Sequence, residues 1–95
     1  MRRASSLYPQ DAFVHNNLAM VLQGLGREED AAREYEAAVA SLPPLAQPRI
    51  SLAEILMKRG DRARARALLD EASRLEVDRE EVEAIVALQQ QLDAP

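Results

Sequence analysis

The chain has 95 residues, with 12 Lys and Arg against 16 Asp and Glu for a net charge of −4, and this length holds one small domain burying roughly 60–70% of its unfolded surface. That balance offers no basic excess to nucleic acid or an anionic membrane, the absence of cysteine excludes disulfides, thiolate metal sites and cysteine nucleophiles, and a single histidine excludes a His-rich metal site. No apolar run nears the about 18 residues that cross a bilayer and the N-terminus has no signal-peptide hydrophobic region, so a soluble, cytoplasmic chain is expected.

Pro9 closes a short leading segment, and Asp11 is placed to cap the helix that follows. From Ala12 to Leu25 the residues Val14, Leu18, Val21, Leu22 and Leu25 recur at spacings of three and four, which predicts one buried helical face. Gly26 ends this helix in the left-handed conformation that reverses the chain. A second helix runs from Glu28 to Ser41, its first turn acidic with Glu28, Glu29 and Asp30, and its packing stripe made of Ala31, Tyr35, Ala38 and Val39. Pro43 and Pro44 close the unit. The third helix runs from Gln47 to Arg59 with Pro48 in its first turn and Leu52, Ile55 and Leu56 inward. Gly60 stops it, and Asp61 caps a fourth helix from Arg62 to Leu75 with Ala65, Leu68, Leu69 and Ala72 inward. Asp78 and Glu81 have the spacing of a capping box that opens a last helix reaching Leu92, with Val82, Ile85, Val86, Gln89 and Leu92 along one side.

Shifted by 34 residues, the chain repeats itself. Ala12, Leu18, Ala19, Leu22, Gly26, Ala31 and Ala38 fall on Ala46, Leu52, Ala53, Leu56, Gly60, Ala65 and Ala72, all small or apolar, and Tyr35 falls on Leu69. A fixed period of this size predicts stacked helical repeats, in which alanines let paired helices approach to about 8–10 Å between axes. The same step aligns Ala4 with Ala38 and Pro9 with Pro43, so residues 1–11 read as the tail of a preceding repeat. It also aligns Val86 and Ala87 with Leu52 and Ala53. The division expected is therefore 12–45, 46–79 and a terminal covering helix over 80–95.

The run HNNLAMVLQGLG followed by Ala31, Tyr35, Ala38 and Pro43 resembles a tetratricopeptide repeat, whose signature is W-x2-L-G-x2-Y, then A-x3-F, then P. His15 stands at the family's Trp, Ala19 at its Gly and Leu22 at its Tyr; the second copy has Arg49, Ala53, Leu56 and Leu69 at signature sites and Val77 for the proline. The resemblance implies an all-α fold, a right-handed superhelical stack of antiparallel helix hairpins forming an α-solenoid. It also implies a concave groove, lined by the first helix of each hairpin, that takes a peptide. That wall maps onto Phe13, Asn16, Asn17, Met20 and Gln23, then Gln47, Ile50, Ser51, Glu54, Met57 and Lys58. Methionines and Phe13 suit apolar anchors there, and amides suit backbone groups.

Two family subtypes can be compared with these residues. Chaperone-tail binders clasp a terminal carboxylate with lysine, asparagine and arginine, whereas Asn16, Met20, Ile50, Ser51 and Glu54 stand here and keep only the amide chemistry. The repeats of protein O-glycosyltransferases carry a ladder of groove asparagines; Asn17 fits one rung, and Ser51 and Ile85 break it. The reading is a non-catalytic interaction module, with two alternatives: the substrate-recognition segment of a larger enzyme such as an O-glycosyltransferase, and a structural piece that self-associates through its N-terminal end. Arginine- and alanine-rich usage is compatible with a GC-rich bacterial source.

Chemistry of other kinds finds no support. There is no phosphate-binding glycine loop, no spaced metal-ligand set and no serine with a histidine at helical spacing, so neither cofactor nor metal is expected. His15 reads as a packing residue with a polar edge rather than a ligand. Residues 11–45 carry two positive and six negative groups and residues 46–79 carry eight and six. This division predicts solvated faces joined by weak ion pairs between repeats, in preference to a docking surface for an acidic partner.

Overall fold

The structure, a computed structural model, describes residues 11–94. Five helices follow in order among them: α1 (Ala12–Gly24), α2 (Glu28–Val39), α3 (Ala46–Lys58), α4 (Arg62–Ser73) and α5 (Arg79–Asp93). The described residues form an all-α helical repeat whose only β pairing is an isolated bridge between Asp11 and Leu42. The reading of the leading segment as an earlier repeat's tail falls on residues 1–10, outside the described residues.

Five of the ten described helix ends have a local cause in a capping carboxylate or a glycine. The Asp11 carboxylate accepts from the backbone N–H of Phe13 at 2.8 Å and of Val14 at 3.4 Å, satisfying the free start of α1. At its other end Gly26 has φ of 81°, and the Gly26 and Arg27 N–H groups donate back to Gln23 and Leu22. Gly60 repeats this, with φ of 86° and bonds from Gly60 and Asp61 to Met57 and Leu56. Both hairpins thus turn through the same left-handed glycine motif, which caps the last carbonyls of the outgoing helix. Asp61 caps α4 through the Arg64 N–H at 3.2 Å. Asp78 and Glu81 exchange bonds of 2.8 and 3.1 Å, the capping box expected at the start of α5.

The closest packing is within the pairs α1–α2 and α3–α4; α2 joins the hairpins by packing on α3, and α5 lies against both α3 and α4. Ala19, Ala31, Ala38, Ala53, Ala65 and Ala72 are wholly buried, as close helix approach requires, with Tyr35, Leu52, Ile55, Leu68 and Leu69 filling the space around them.

Two expected faces are corrected. On α1, Val14, Leu18, Val21 and Leu25 are 45–69% exposed, and the helix instead buries Ala12, Asn16 and Ala19. The stripe exists, but α1 packs mainly on α2, and nothing among the described residues covers its other side. On α5, Val82 and Val86 are exposed while Ile85, Leu88 and Leu92 are buried. Ile85 and Leu88 stand 33 residues after Leu52 and Ile55, so the last helix has slipped by one from the 34-residue step. The cause is in the connections: residues 40–45 join α2 to α3, whereas residues 74–78, one fewer, join α4 to α5. A one-residue slip turns a helix by about 100°, enough to carry Val86 out and Leu88 in, while Ile85 and Leu92 are buried as expected.

Candidate functional site

Helices α1, α3 and α5 share one wall, indented by two clefts that each touch all three. Near the C-terminal ends of the helices, a cleft of about 470 Å³ is lined by Gln23 of α1, Glu54, Met57 and Lys58 of α3, Arg62 of α4, and Leu88 and Gln91 of α5. Near the N-terminal ends, one of about 490 Å³ is lined by Phe13 and Asn16, by Ala46 and Gln47, by Glu81, and by Pro44, Leu45, Leu75 and Glu76 from the connections. Beside it a smaller hollow of about 270 Å³ takes in Ile50, Gln47, Asp78, Glu80, Glu81 and Ala84.

The residues expected to form the wall divide among these places. Gln23, Glu54, Met57 and Lys58 meet in the first cleft, Phe13, Asn16 and Gln47 in the second, and Ile50 joins Gln47 in the hollow. Asn17 and Met20 are exposed on α1. Ser51 is buried and accepts from Gln47 Nε2 at 3.4 Å. Leu88, Gln91, Glu80, Glu81 and Ala84 were not expected on the wall, because α5 read as a cover over the end of the stack. Carried forward by 34 residues, Gln47, Ile50, Glu54 and Met57 land on Glu81, Ala84, Leu88 and Gln91, and that signal could have found these four.

The two clefts differ electrostatically. Lys58 Nζ lies 2.7 Å from Glu28 Oε2, a pair that holds the Glu28 carboxyl below its usual range. The first cleft has both signs of charge, with Lys58, Arg62 and Glu54 on its lining. The second is lined by carboxylates and no Lys or Arg. Two of its amides are also incomplete. Asn16, 8% exposed, donates Nδ2 to Met20 Sδ at 3.7 Å, while its Oδ1 is buried with no hydrogen bond; Gln47 Oε1 is likewise buried and unpaired. An acceptor left so costs about 1–3 kcal/mol.

Away from the wall, polar side chains brace the hairpins. His15 Nδ1 lies 2.7 Å from Glu34 Oε1, tying α1 to α2. Arg49, one repeat later, donates to the Leu45 carbonyl at 2.7 Å, the Val39 carbonyl at 3.3 Å and Glu71 Oε1 at 3.1 Å. Arg64 forms a two-pronged pair with Glu36 at 2.9 and 3.1 Å, which raises the pKa of its guanidinium. Arg62 and Arg66 donate to the Leu92 carbonyl at the end of α5. Of the acidic second helix and the basic fourth, Glu36 and Arg64 pair across the hairpins, while Arg62 and Arg66 turn to α5. Ser41 and Ser73 donate to the Ala37 and Asp70 carbonyls, which occupies their hydroxyls, and no group of three potential metal ligands occurs among the described residues. No described helix is long and apolar enough to cross a membrane.

A family model described as tetratricopeptide repeat matches residues 22–92. The chain belongs to the tetratricopeptide repeat family. No curated protein and no solved structure matches it. Two departures from the tetratricopeptide repeat signature now have structural meaning. His15 and Arg49 occupy the family's Trp site, and both replace ring packing by polar bonds to the neighbouring helix or connection. Repeats of this family are protein–protein interaction modules, which directs attention to the wall rather than to any reaction.

Proposed function

We propose that the chain is a non-catalytic scaffold or adaptor module that holds a peptide or protein segment against the wall of α1, α3 and α5. The observation carrying this reading is that the clefts of about 470 and 490 Å³ each touch all three helices, so an extended segment lying over them would meet each helix of the wall. Half-exposed Phe13 and Met20 offer apolar anchors on α1, where a flexible thioether adapts to varied partners. The decisive experiment is affinity capture from a cell lysate with the wild-type chain and Phe13→Ala/Met20→Ala as baits. Loss of specific partners from the double variant supports the reading, and recovery of the same partners by both baits sinks it.

A second reading is favoured by the α1 stripe, which nothing among the described residues covers. Val14, Leu18 and Val21 stand one repeat before Pro48, Leu52 and Ile55, which are buried within the stack, so the same kind of seat stands open on α1. A second copy could close it, making the chain a self-associating piece of a repeat array. Sedimentation over a wide concentration range separates the readings: a monomer at the highest concentration removes this one.

A further inference from the structure

The cleft at the N-terminal ends of the wall helices gathers hydrogen-bond acceptors and has no cation of its own. Glu76 and Glu81 line it, and Asp78 and Glu80 line the hollow beside it. None of the four enters an ion pair among the described residues, and Asp78 and Glu81 each accept one backbone N–H in the capping box. A second observation is independent of charge: Asn16 is more than nine-tenths buried on the cleft lining, and its Oδ1 has no donor, as Gln47 Oε1 has none. A leucine at Asn16 would remove that cost to the fold, so its amide calls for a partner from outside.

We propose that this cleft receives the arginine or lysine side chain of a peptide segment lying along the wall, a reading that rests on the groove-binding function above. Such a side chain has donors and no acceptors, the complement of a cleft with unpaired acceptors and carboxylates. Its methylene stem has Phe13 and Leu75 to lie on while the charged head faces Glu76 and Glu81, and the Phe13 ring face itself attracts a cation. Both amide oxygens are closed off in the free protein, so the incoming donor meets them as the side chains rotate into the cleft. Helix starts and one side chain oppose a cation: α3 and α5 both begin beside the cleft, each with about half a positive charge, and Arg79 stands between Asp78 and Glu80 in the chain. The four carboxylates outweigh these charges, and they reject an acidic segment.

The test uses a labelled, capped decapeptide of alanine, serine and leucine with one central arginine, and counterparts bearing lysine, citrulline or glutamate in its place. The arginine and lysine peptides should bind at least about tenfold more tightly than the citrulline isostere, which keeps the shape and loses the charge, and the glutamate peptide more weakly still. Glu76→Gln/Glu81→Gln should remove that preference, so that the arginine and citrulline peptides bind the variant equally; glutamine preserves the capping box at Glu81. Asn16→Leu should weaken the arginine peptide without lowering the melting temperature, which shows that the fold is intact. Equal binding of arginine and citrulline peptides, or an unchanged preference in the double glutamine variant, overturns the cation site. If those peptides bind equally and Phe13→Ala/Met20→Ala weakens both, the groove stands and only the cation site falls. If Phe13→Ala/Met20→Ala weakens neither, the groove falls as well. A dimer that the arginine peptide dissociates would assign the cleft to a second copy of the chain and overturn the proposal.

Discussion

At Gly26 and Gly60 the backbone takes φ of 81° and 86°, and a Cβ at either would meet no atom within 4 Å. Sterically open but conformationally left-handed, each position isolates the backbone cost of a side chain. Gly26→Ala and Gly60→Ala should each destabilise the fold by about 1–2 kcal/mol in urea titrations. Gly24, at the end of α1 and equally open, is helical, so Gly24→Ala should be neutral or stabilising by up to about 1 kcal/mol. Equal losses at all three would show that the turn motif is not what the glycines serve.

Tyr35 is the other residue whose setting gives a measurable signature. It is 1% exposed, its hydroxyl donates to Gln23 Oε1 at 2.8 Å, and burial raises its pKa above the usual 10.0. A raised acid favours the folded state where the unfolded chain still holds the proton. Its contribution is whole below pH 10.0 and is lost as pH rises through the folded value. Tyr35→Phe should cost about 1 kcal/mol at neutral pH by losing the bond to Gln23. It should also flatten the fall in stability above about pH 10, a difference read by urea midpoints for the two proteins across that range. A parallel decline in both would remove Tyr35 as its source.

Between elements, the informative comparison is a pair of leucines one repeat apart. Leu18 on α1 is 45% exposed and Leu52 on α3 is wholly buried, though sequence and helical register make them equivalent. The difference comes from neighbours: α3 packs on α2 and α5 as well as its hairpin partner, and α1 mainly on α2. Leu52→Ala should therefore cost about 2–5 kcal/mol, and Leu18→Ala under about 1 kcal/mol. Comparable losses would mean that Leu18 is covered in solution, by a second copy or by residues outside the described range, and sedimentation of the same samples would tell which.

This pair also marks where the sequence is legible. The alanines, the two glycine turns, the caps at Asp11, Asp61 and Asp78 and the helix order all depend on local spacing or on short contacts within a hairpin, so they can be read residue by residue. Which side of α1 is covered depends on whether another helix lies there, and no periodicity encodes that. The slip of α5 was missed for a related reason: the 34-residue step was carried past a connection one residue shorter, and a single residue rotates a helix by more than a quarter turn. The wall positions proposed on α1 and α3 came from the resemblance. The α5 positions could have been reached by carrying the α3 wall forward one repeat, whereas the unpaired Asn16 oxygen emerges only when the helices are placed together.

Across the whole molecule, salt is the variable that separates what holds the stack from what the wall recognises. The contacts between hairpins include Lys58–Glu28 and Arg64–Glu36, and Arg66 pairs with Asp93 of α5; all six side chains are substantially exposed. Exposed pairs contribute about 0–1 kcal/mol each and are screened over about 10 Å at moderate salt. Leu52, Ile55, Leu68 and Leu69 are buried in one continuous core with Tyr35 and Ala65, a term that NaCl does not screen. Raising NaCl from about 0.05 to about 0.5 M should therefore change unfolding stability by under about 2 kcal/mol, measured by urea titration at each salt, while the helical signal before the transition stays constant. A cationic peptide on the unpaired carboxylates of the wall should lose most of its affinity over the same range. Collapse of the fold on that scale would mean that the ion pairs, rather than apolar burial, join the hairpins, and the binding loss could then no longer be assigned to the cleft.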